Sequence, residues 1–352
     1  MSKRIERLRG LMRREKLDGF VVVNLPSIRY LCGYTGSNGL MLVTPRDAWF
    51  YTDFRYQEQI KTEVKNCRKH VLTRDPLAHP RPEWSRPFRR LGVEENHVTL
   101  ARYRQLRKRF NKSRLVGAKD LVLELRRAKE AIEVEQIAAA QRITDRVFGN
   151  VLKLVKPGVR ERDLALEIEF QFRRHGEVAF DSIVASGGNA AKPHAGFSDR
   201  KLRNGDALTL DIGCRVGGYC SDMTRTVFVG RAPAELRRVY GIVAEAQRRA
   251  LEAIKPGITG KAADAVARDF IVEQGYGRQF GHGLGHGVGM EVHEQPVLAS
   301  TSKDTLSPGD VVTVEPGVYL PGVGGVRIED MVHVTKTGCA NLTRSPKRLI
   351  EL

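Results

Sequence analysis

The chain repeats one nine-residue pattern, and this repetition limits the fold more than any other feature of the sequence. Residues 205–213 read GDALTLDIG and residues 309–317 read GDVVTVEPG, with an acid at the seventh position of each. Both copies run on to a Gly-Gly pair that is followed four residues later by a second acid. The first copy therefore contributes Asp211 and Asp222, and the second contributes Glu315 and Glu329.

Alternating Leu/Thr and Val/Thr runs that lead into glycine turns predict two β-hairpins. With the first Gly-Gly pair at the turn, Asp211 lies opposite Thr224, and Asp222 is its diagonal neighbour on the same face, roughly 7 Å away at Cα. If the second turn is centred on Gly322, its two glutamates face each other directly. Four carboxylates buried together cannot all stay ionised without cations, because neighbouring like charges raise one another's pKa. A pattern that occurs twice favours a cation site over acids scattered by chance on surface hairpins.

A pair of helices is duplicated in the same order as the hairpins. One helical pattern stops at a Lys-Pro-Gly turn (156–158) and the next closes at Gly176, and the turn at 255–257 and Gly275 repeat this arrangement. We therefore predict that residues 123–352 form one domain of two halves related by a pseudo-two-fold axis. In this prediction strands of both halves merge into one curved sheet, covered by helices, and the axis brings the four acids together.

Residues 1–122 predict a separate mixed α/β domain. An amphipathic helix over residues 3–16 leads into apolar runs typical of strands, and residues 54–64 have a helical pattern. This part contains no phosphate-binding loop and no metal-type spacing. The fold class predicted for the whole chain is α/β (α+β), with the chemistry in the second domain.

Composition limits location and partners. The charged start MSKRIERLRG and the lack of about 18 consecutive apolar residues argue against a signal peptide or a membrane span. Five scattered cysteines favour reduced thiols, and we expect a cytoplasmic protein. The formal charge is +18, and eleven of residues 102–129 are Lys or Arg. That stretch could bind phosphates, but we favour a solvated helical face and do not expect nucleic acid as a partner.

Four histidines fall near the predicted acid cluster. His282, His286 and His293 lie in the glycine-rich run YGRQFGHGLGHGVGMEVHEQP, and His194 occupies in the first half the place that His293 has in the second. Bare glycine backbone is typical of a segment that another chain or a ligand approaches closely. An oxygen-rich donor set with a single imidazole suits Mn²⁺, Co²⁺ or Zn²⁺ better than a thiolate-selecting metal.

At these residues the sequence resembles the metallopeptidase family of aminopeptidase P, prolidase and methionine aminopeptidase, which has the pita-bread fold shared with creatinase. The resemblance rests on DIG with an Asp eleven residues on, GHGxGMExHE, TVEPGxY and GGVRIED, and residues 1–122 resemble the creatinase-type N-terminal domain. PHAG, GGVRIED and the complete N-terminal domain point to the proline-directed branch and away from methionine aminopeptidase.

The resemblance implies a role for each candidate residue. It makes Asp222 and Glu329 the bridging ligands of two metal ions, with Mn²⁺ ahead of Co²⁺ or Zn²⁺. The remaining metal ligands that it implies are Asp211 on one ion, and His286 and Glu315 on the other. His194 and His293 would flank the scissile amide, and His282 would line the substrate site. Arg327 would orient a metal carboxylate, and Glu315 would also accept the proton.

The implied function is a dinuclear exopeptidase that cleaves the Xaa-Pro bond at the N-terminus of peptides or dipeptides, acting as a homodimer. The resemblance does not decide between an Xaa-Pro aminopeptidase and an Xaa-Pro dipeptidase. One alternative is metal-free C–N hydrolysis of the creatinase kind, which predicts that the acids are missing. The other is an inactive binding module whose basic surface contacts RNA or proteins, and the intact ligand set argues against it.

Overall fold

The computed structural model describes residues 2–73, 75–78, 80–119 and 121–352, with only the backbone of Ser2. The described chain divides into two compact units, an N-terminal unit (Met1–Arg126) and a C-terminal unit (Arg127–Leu352). The predicted boundary after residue 122 lies inside a helix that spans Leu121–Arg127. Within the described ranges, no helix is long and apolar enough to cross a membrane.

The N-terminal unit is built on a six-stranded mixed sheet. Its helices are α1 (Ser2–Arg14), α2 (Leu25–Cys32), α3 (Gln59–Glu63), α4 (Leu100–Arg109) and α5 (Leu121–Arg127). Its strands are β1 (Gly19–Val22), β2 (Leu40–Val43), β3 (Ala48–Asp53), β4 (Arg68–Leu72), β5 (Leu91–Glu94) and β6 (Leu115–Ala118). The spatial order is β4-β3-β2-β1-β5-β6. Strands β1, β2, β3 and β5 are buried at every residue, which explains why they read as continuous apolar runs.

The helix predicted over residues 54–64 is shorter in the structure. A 3₁₀ turn (Phe54–Tyr56) comes first, and α3 follows it. The Asp53 carboxylate accepts a hydrogen bond from the Arg55 backbone N–H at 3.1 Å and pairs with the Arg55 side chain at 2.7 Å, which closes a tight turn before a helix can form. Phe54 is 66% exposed, so the segment lacks the continuous apolar stripe that would hold a longer helix against the sheet.

The basic stretch over residues 102–129 does not form one helical face. It runs through α4, β6 and α5, and near its end Arg126 and Lys129 are buried. The expected solvated surface is found on α4, where Arg104, Arg107 and Lys108 are exposed, and continues after it at Lys112 and Arg114.

The C-terminal unit contains two helix pairs, each followed by strands. The first half has α6 (Ala131–Leu152), α7 (Glu161–Arg173), β7 (Glu177–Val178), β8 (Ile183–Ser186), β9 (Ala207–Ile212), β10 (Cys214–Val216), β11 (Tyr219–Cys220) and β12 (Met223–Phe228). The second half has α8 (Ala234–Ala253), α9 (Gly260–Glu273), β13 (Gly285–Gly287), β14 (Glu294–Leu298), β15 (Val311–Val314), β16 (Gly317–Leu320), β17 (Gly324–Arg327), β18 (Asp330–Val334) and β19 (Cys339–Asn341).

The duplication predicted from the sequence is confirmed by matching hydrogen bonds. Gly158 N donates to Leu202 O at 2.9 Å in the first half, and Gly257 N donates to Leu306 O at 2.9 Å in the second. Both glycines adopt a left-handed backbone, with φ of 91° and 87°, which favours glycine at each Lys-Pro-Gly turn. The strand pairing also repeats, since β8-β9-β12 in the first half corresponds to β13-β15-β18 in the second.

The prediction of one continuous sheet is wrong in detail. The strands of the two halves belong to separate ladders, β12-β9-β8 and β14-β13-β15-β18-β19. They meet where Glu329 N donates to Thr224 O at 3.1 Å. Next to this contact, the Thr226 hydroxyl donates to Arg327 O and accepts from Arg327 N, each at 3.1 Å. A side-chain hydroxyl thus takes the place of the backbone pairing that would continue the ladder.

A buried ion pair also holds the two halves together. Arg225 of β12 and Asp330 of β18 approach to 2.7 Å, with side chains 1% and 0% exposed. The Arg225 guanidinium also donates to backbone carbonyls, including Thr224 O at 2.9 Å and Ser345 O at 2.8 Å. This arginine therefore satisfies polar groups on both sides of the junction.

We expect Arg225→Met to lower the free energy of unfolding by about 3–5 kcal/mol, because it leaves buried acceptors without a donor. The melting temperature should fall by roughly 6–20 °C for a unit of this size, as measured by calorimetry. The matched control is Arg237→Met, which breaks an exposed pair with Glu351 and should cost about 1 kcal/mol or less. Equal melting temperatures for the two variants would contradict a structural role for Arg225.

Candidate metal centre

The first hairpin presents two acids in the register that the sequence predicts. Asp211 of β9 pairs with Thr224 of β12, and Val216 pairs with Tyr219 beside the turn. Asp222 lies two residues before Thr224, which makes it the diagonal neighbour of Asp211. Asp222 is 5% exposed, so its charge is held away from solvent.

The second hairpin places Glu315 and Glu329 opposite each other, as predicted. They lie between two ladders that share one register, β15-β18 on one side and β16-β17 on the other. Glu329 is 1% exposed, and its Oε2 accepts a hydrogen bond from the Thr224 hydroxyl at 2.7 Å. Because Thr224 belongs to the first hairpin, this bond fixes the acids of the two halves against each other.

His286 extends from β13 into the same cluster. Its Nε2 lies 3.3 Å from Glu315 Oε1 and 3.6 Å from Asp222 Oδ2, while Nδ1 lies 3.1 Å from Gly287 O. The Thr313 hydroxyl accepts from His286 N at 3.0 Å and donates to Glu315 at 3.1 Å. Strand β13 must pass very close to β15 here, since a Cβ on Gly285 would lie 2.1 Å from Thr313 O. The glycines of this run therefore bring the imidazole to the acids.

The donor atoms of the cluster are close enough to share a cation. One ligand atom each from Asp222, His286 and Glu329 lies within 4.8 Å of the others. Asp211 Oδ1 and Glu329 Oε1 are buried and have no hydrogen-bond partner in the described chain. Buried acceptors are normally satisfied, and an orphaned carboxylate oxygen costs about 1–3 kcal/mol or more. The arrangement fits divalent cations, which would satisfy these oxygens.

The protonation of the cluster reflects burial and crowding. Burial raises the pKa of Asp222 and Glu329 well above the ordinary value, and the neighbouring carboxylates raise it further. Burial also raises the pKa of Asp211, although Arg327 opposes the shift. For Glu315 burial acts in the same direction, but the hydrogen bond and charge of His286 outweigh it and hold the pKa at about 2. Without cations, burial and crowding therefore favour the protonated forms of Asp222 and Glu329.

Arg327 donates a hydrogen bond to one of the acids and fixes its position. Its Nη2 donates to Asp211 Oδ2 at 2.6 Å, its Nη1 to the Tyr319 hydroxyl at 2.7 Å, and its Nε to the Thr224 hydroxyl at 3.0 Å. Tyr319 is the last residue of TVEPGxY, and sequence reasoning assigned it no role, although a signal exists. It pairs with Gly325, so the alternation of the hairpin places it on the same face as Arg327.

The remaining histidines line a cavity of about 580 Å³ over the cluster. His282 Nε2 lies 2.9 Å from the Tyr319 hydroxyl, and its Nδ1 lies 2.8 Å from Gly283 O. The ring of His293 stacks at a tilt beside that of His286, with centroids 4.2 Å apart. His194 lines the same cavity. The structure thus brings every site residue predicted from the sequence to one cavity: His194, Asp211, Asp222, His282, His286, His293, Glu315, Arg327 and Glu329.

Two family models match the chain. Residues 135–336 match metallopeptidase family M24, and residues 4–128 match the creatinase/prolidase N-terminal domain. The first match contains all nine of the site residues that line the cavity.

Individual relatives cover the chain almost completely. The chain is 42% identical over 353 residues to the uncharacterized peptidase YqhT of Bacillus subtilis (strain 168), which covers 99% of this chain and 100% of that protein. It is similar to the solved structure of an Xaa-Pro dipeptidase from Bacillus anthracis, with a TM-score of 0.95, 40% identity and 99% of each chain covered. It is also similar to an X-Pro aminopeptidase from Thermotoga maritima MSB8, with a TM-score of 0.87, 36% identity, and 97% of this chain and 100% of that chain covered.

The raised pKa values predict a pH-dependent stability of the chelator-treated protein. Asp222 and Glu329 have folded-state pKa values above their ordinary values, so the folded state binds more protons than the unfolded chain. Stability is therefore lost as the pH rises above the ordinary carboxylate range. We expect a lower melting temperature at pH 8 than at pH 5.5 in the presence of a chelator.

Glu329→Gln should raise the free energy of unfolding of the chelator-treated protein at pH 8 by about 1–3 kcal/mol and reduce the pH dependence, since it removes a buried charge. Glu235→Gln, at an exposed acid in the first turn of α8, is the control that should lower the free energy by at most about 1 kcal/mol and leave the pH dependence unchanged. A stability that rises with pH between 5.5 and 8 would contradict the raised pKa values.

Proposed function

Since this chain belongs to metallopeptidase family M24, we propose that it is a dinuclear metallo-exopeptidase that cleaves the Xaa-Pro bond at the N-terminus of its substrates. Solved structures similar to it carry the names Xaa-Pro dipeptidase and X-Pro aminopeptidase. The proposal is carried by one observation: four carboxylates and one imidazole line a single cavity, and two carboxylate oxygens among them are buried without partners in the described chain.

Five side chains would hold two divalent ions: Asp211, Asp222, His286, Glu315 and Glu329. Asp222 and Glu329 would be ligands of both ions. Asp211 would complete the ligand set of one ion, and His286 and Glu315 would complete that of the other. Four carboxylates and a single imidazole favour Mn²⁺, with Co²⁺ or Zn²⁺ as alternatives. When bound, such a pair of ions lowers the pKa of water and polarises a neighbouring carbonyl.

The acids and histidines of the chain supply the proton transfers. Glu315 would accept the proton of the attacking water and later pass it to the proline nitrogen, and its contact with His286 favours the ionised carboxylate that this role needs. His293 and His194 would flank the scissile amide and donate hydrogen bonds to its carbonyl oxygen as negative charge develops there. His282 would line the substrate site, with its ring fixed by Tyr319 and Gly283.

Proline gives the substrate its distinctive chemistry. The Xaa-Pro amide is tertiary and has no N–H to offer, so a site for it must select by the shape of the ring and by the imide. A cavity that combines apolar side chains with a few fixed polar groups is suited to that task. The lining of this one includes Ile183, Pro193, Val292 and Val297 beside the histidines.

We further propose that the enzyme works in the cytoplasm as a homodimer. All five cysteines are unpaired, which is typical of a reducing compartment. The dimer is proposed from the family resemblance alone.

Activity should depend on metal and on the shared acids. After chelation we expect activity to vanish and to return on addition of Mn²⁺. Asp222→Ala and Glu329→Ala should lower kcat/KM on an Xaa-Pro peptide by at least about a hundredfold with metal present, because each removes a ligand from both ions. Asp199→Asn is the control, an exposed acid paired with Arg162 that should stay within about twofold of wild type. Full turnover by either alanine variant would refute the proposed centre.

Arg327→Lys tests the positioning of Asp211. Lysine keeps the charge but loses the planar fork that contacts Asp211, Tyr319 and Thr224 together. We expect the Kd for Mn²⁺, measured by calorimetric titration of the chelated protein, to rise by about 10–100-fold. Arg162→Lys, at an exposed pair, should leave it unchanged. A lower kcat with an unchanged Kd would assign Arg327 another role.

A further inference from the structure

His194 lies on a segment that joins β8 to β9 and contains little regular structure. The segment covers residues 187–197 and includes one 3₁₀ turn (Gly187–Ala191). His194 is exposed, so its ring is not fixed by packing in a core. Next to it, Arg327 donates a hydrogen bond to Pro193 O at 3.3 Å. The placement of the ring therefore also depends on what holds the two ends of the segment.

A single buried carboxylate, that of Glu161, binds the residues on both sides of this segment. Its Oε1 accepts hydrogen bonds from the backbone N–H and the hydroxyl of Ser186, each at 2.7 Å. Its Oε2 accepts from Ser198 N at 3.0 Å and from the Ser198 hydroxyl. The Asn189 amide nitrogen lies 3.2 Å from both oxygens. Ser186 precedes the segment and Ser198 follows it, so the carboxylate closes residues 187–197 into one loop, the His194 loop.

The surroundings of Glu161 suit a carboxylate that is fixed in place. The residue is 0% exposed, and a buried carboxylate is stable only when donors surround its oxygens. Arg200 supplies positive charge nearby, since its guanidinium donates to the Ser186 hydroxyl and pairs with Asp206, each at 2.6 Å. Joining both ends of a surface loop to one group reduces the conformations that the loop can adopt. Glu161 therefore limits the positions that His194 can take.

The second half of the C-terminal unit shows that the helix itself does not need this carboxylate. Glu161 and Gly260 each follow a Lys-Pro-Gly turn by three residues, and they begin α7 and α9. Glu161 N donates to Arg200 O at 3.0 Å, and the same bond runs from Gly260 N to Asp304 O at 2.8 Å. A Cβ on Gly260 would lie 2.1 Å from Val297 O, so a side chain there would collide with the backbone. The carboxylate therefore belongs to the half that carries the His194 loop.

We infer that Glu161 is a positioning residue for His194. By holding both ends of the His194 loop, its carboxylate keeps the imidazole in the cavity over the acid cluster, where the imidazole can donate to the carbonyl oxygen of the scissile amide. Glu161 is not among the residues that line the cavity, so it acts through the loop and not on the substrate. The inference rests on the proposed function, which supplies the role of His194.

Glu161→Gln tests this role while nearly keeping the size of the side chain. Its amide presents an N–H group in place of one acceptor, so one end of the His194 loop loses its partner. With the Mn²⁺-loaded full chain and Ala-Pro-Ala, we expect kcat to fall by about ten- to a hundredfold, because a small displacement of a catalytic group is enough for such a loss. The change in KM should be much smaller, since the contact that is lost forms in the transition state. The Kd for Mn²⁺, measured by calorimetric titration, should stay unchanged, because no proposed metal ligand lies on the loop.

A comparison in two backgrounds separates positioning from a loss of folded enzyme. His194→Ala alone should lower kcat by about a hundredfold. Adding Glu161→Gln to His194→Ala should lower kcat by less than about twofold more, because the residue that is positioned is already gone. A change that only reduces the folded fraction would lower kcat by the same factor in both backgrounds. Asp163→Asn, at an exposed acid in the first turn of α7, is the matched control that should leave kcat and KM unchanged.

Each outcome decides one statement. A wild-type kcat in Glu161→Gln, an equal loss in both backgrounds, or full activity of His194→Ala overturns the inference. If Glu161→Gln does not fold, Ser198→Ala removes one hydroxyl donor from the carboxylate and should lower kcat by about three- to tenfold only while His194 is present. An unchanged kcat in Ser198→Ala, or an equal loss without His194, then overturns it. A wild-type protein that cleaves no Xaa-Pro peptide with metal bound refutes the proposed function and the inference together, whereas the other outcomes leave that function standing.

Discussion

Repulsion among four crowded carboxylates, two of them buried, is the constraint on which the C-terminal unit depends. Arg327 neutralises one of them at 2.6 Å, and the imidazole of His286 contacts two others. The remaining charge cannot be screened by water, because Asp222 and Glu329 are 5% and 1% exposed. Protons can balance it at the cost of raised pKa values, or divalent ions can balance it while the carboxylates stay ionised. The repulsion destabilises the metal-free cluster, and this raises its affinity for divalent ions.

The duplicated chain explains how so much charge can be held together. Neither half contains the whole cluster, since each hairpin supplies two acids and the imidazole comes from the second half. The bonds that join the halves lie at the same place as the cluster: Thr224 meets Glu329 through both backbone and side chain, and Arg225 binds Asp330 one residue further on. The packing of the two halves is therefore also what sets the distances between donor atoms.

The sequence predicted the parts of the site that depend on local periodicity. Strand alternation and the glycine turns set the hairpin register, and this was sufficient to pair Asp211 with Thr224 from the chain alone. It could not predict what depends on the packing of one hairpin against the other. The junction of the two sheets falls in this class, because whether Thr226 or a backbone group satisfies Arg327 is decided by a distance between distant segments. Asp181 was likewise hidden, since nothing in its neighbours along the chain places it in the lining of the cavity.

The acids of the cluster and the other residues that line the cavity are therefore constrained differently. Residues at the centre are fixed by strand pairing and by one another, so a change at Asp222 or Glu329 alters ion binding and stability together. Asp181 and Val297 line the same cavity, are exposed and are not among the proposed metal ligands, so a change at either one removes no ligand. Proteins similar to this chain carry the names of both dipeptidases and aminopeptidases. Differences among such proteins can therefore arise in the lining of the cavity while the proposed metal ligands stay the same.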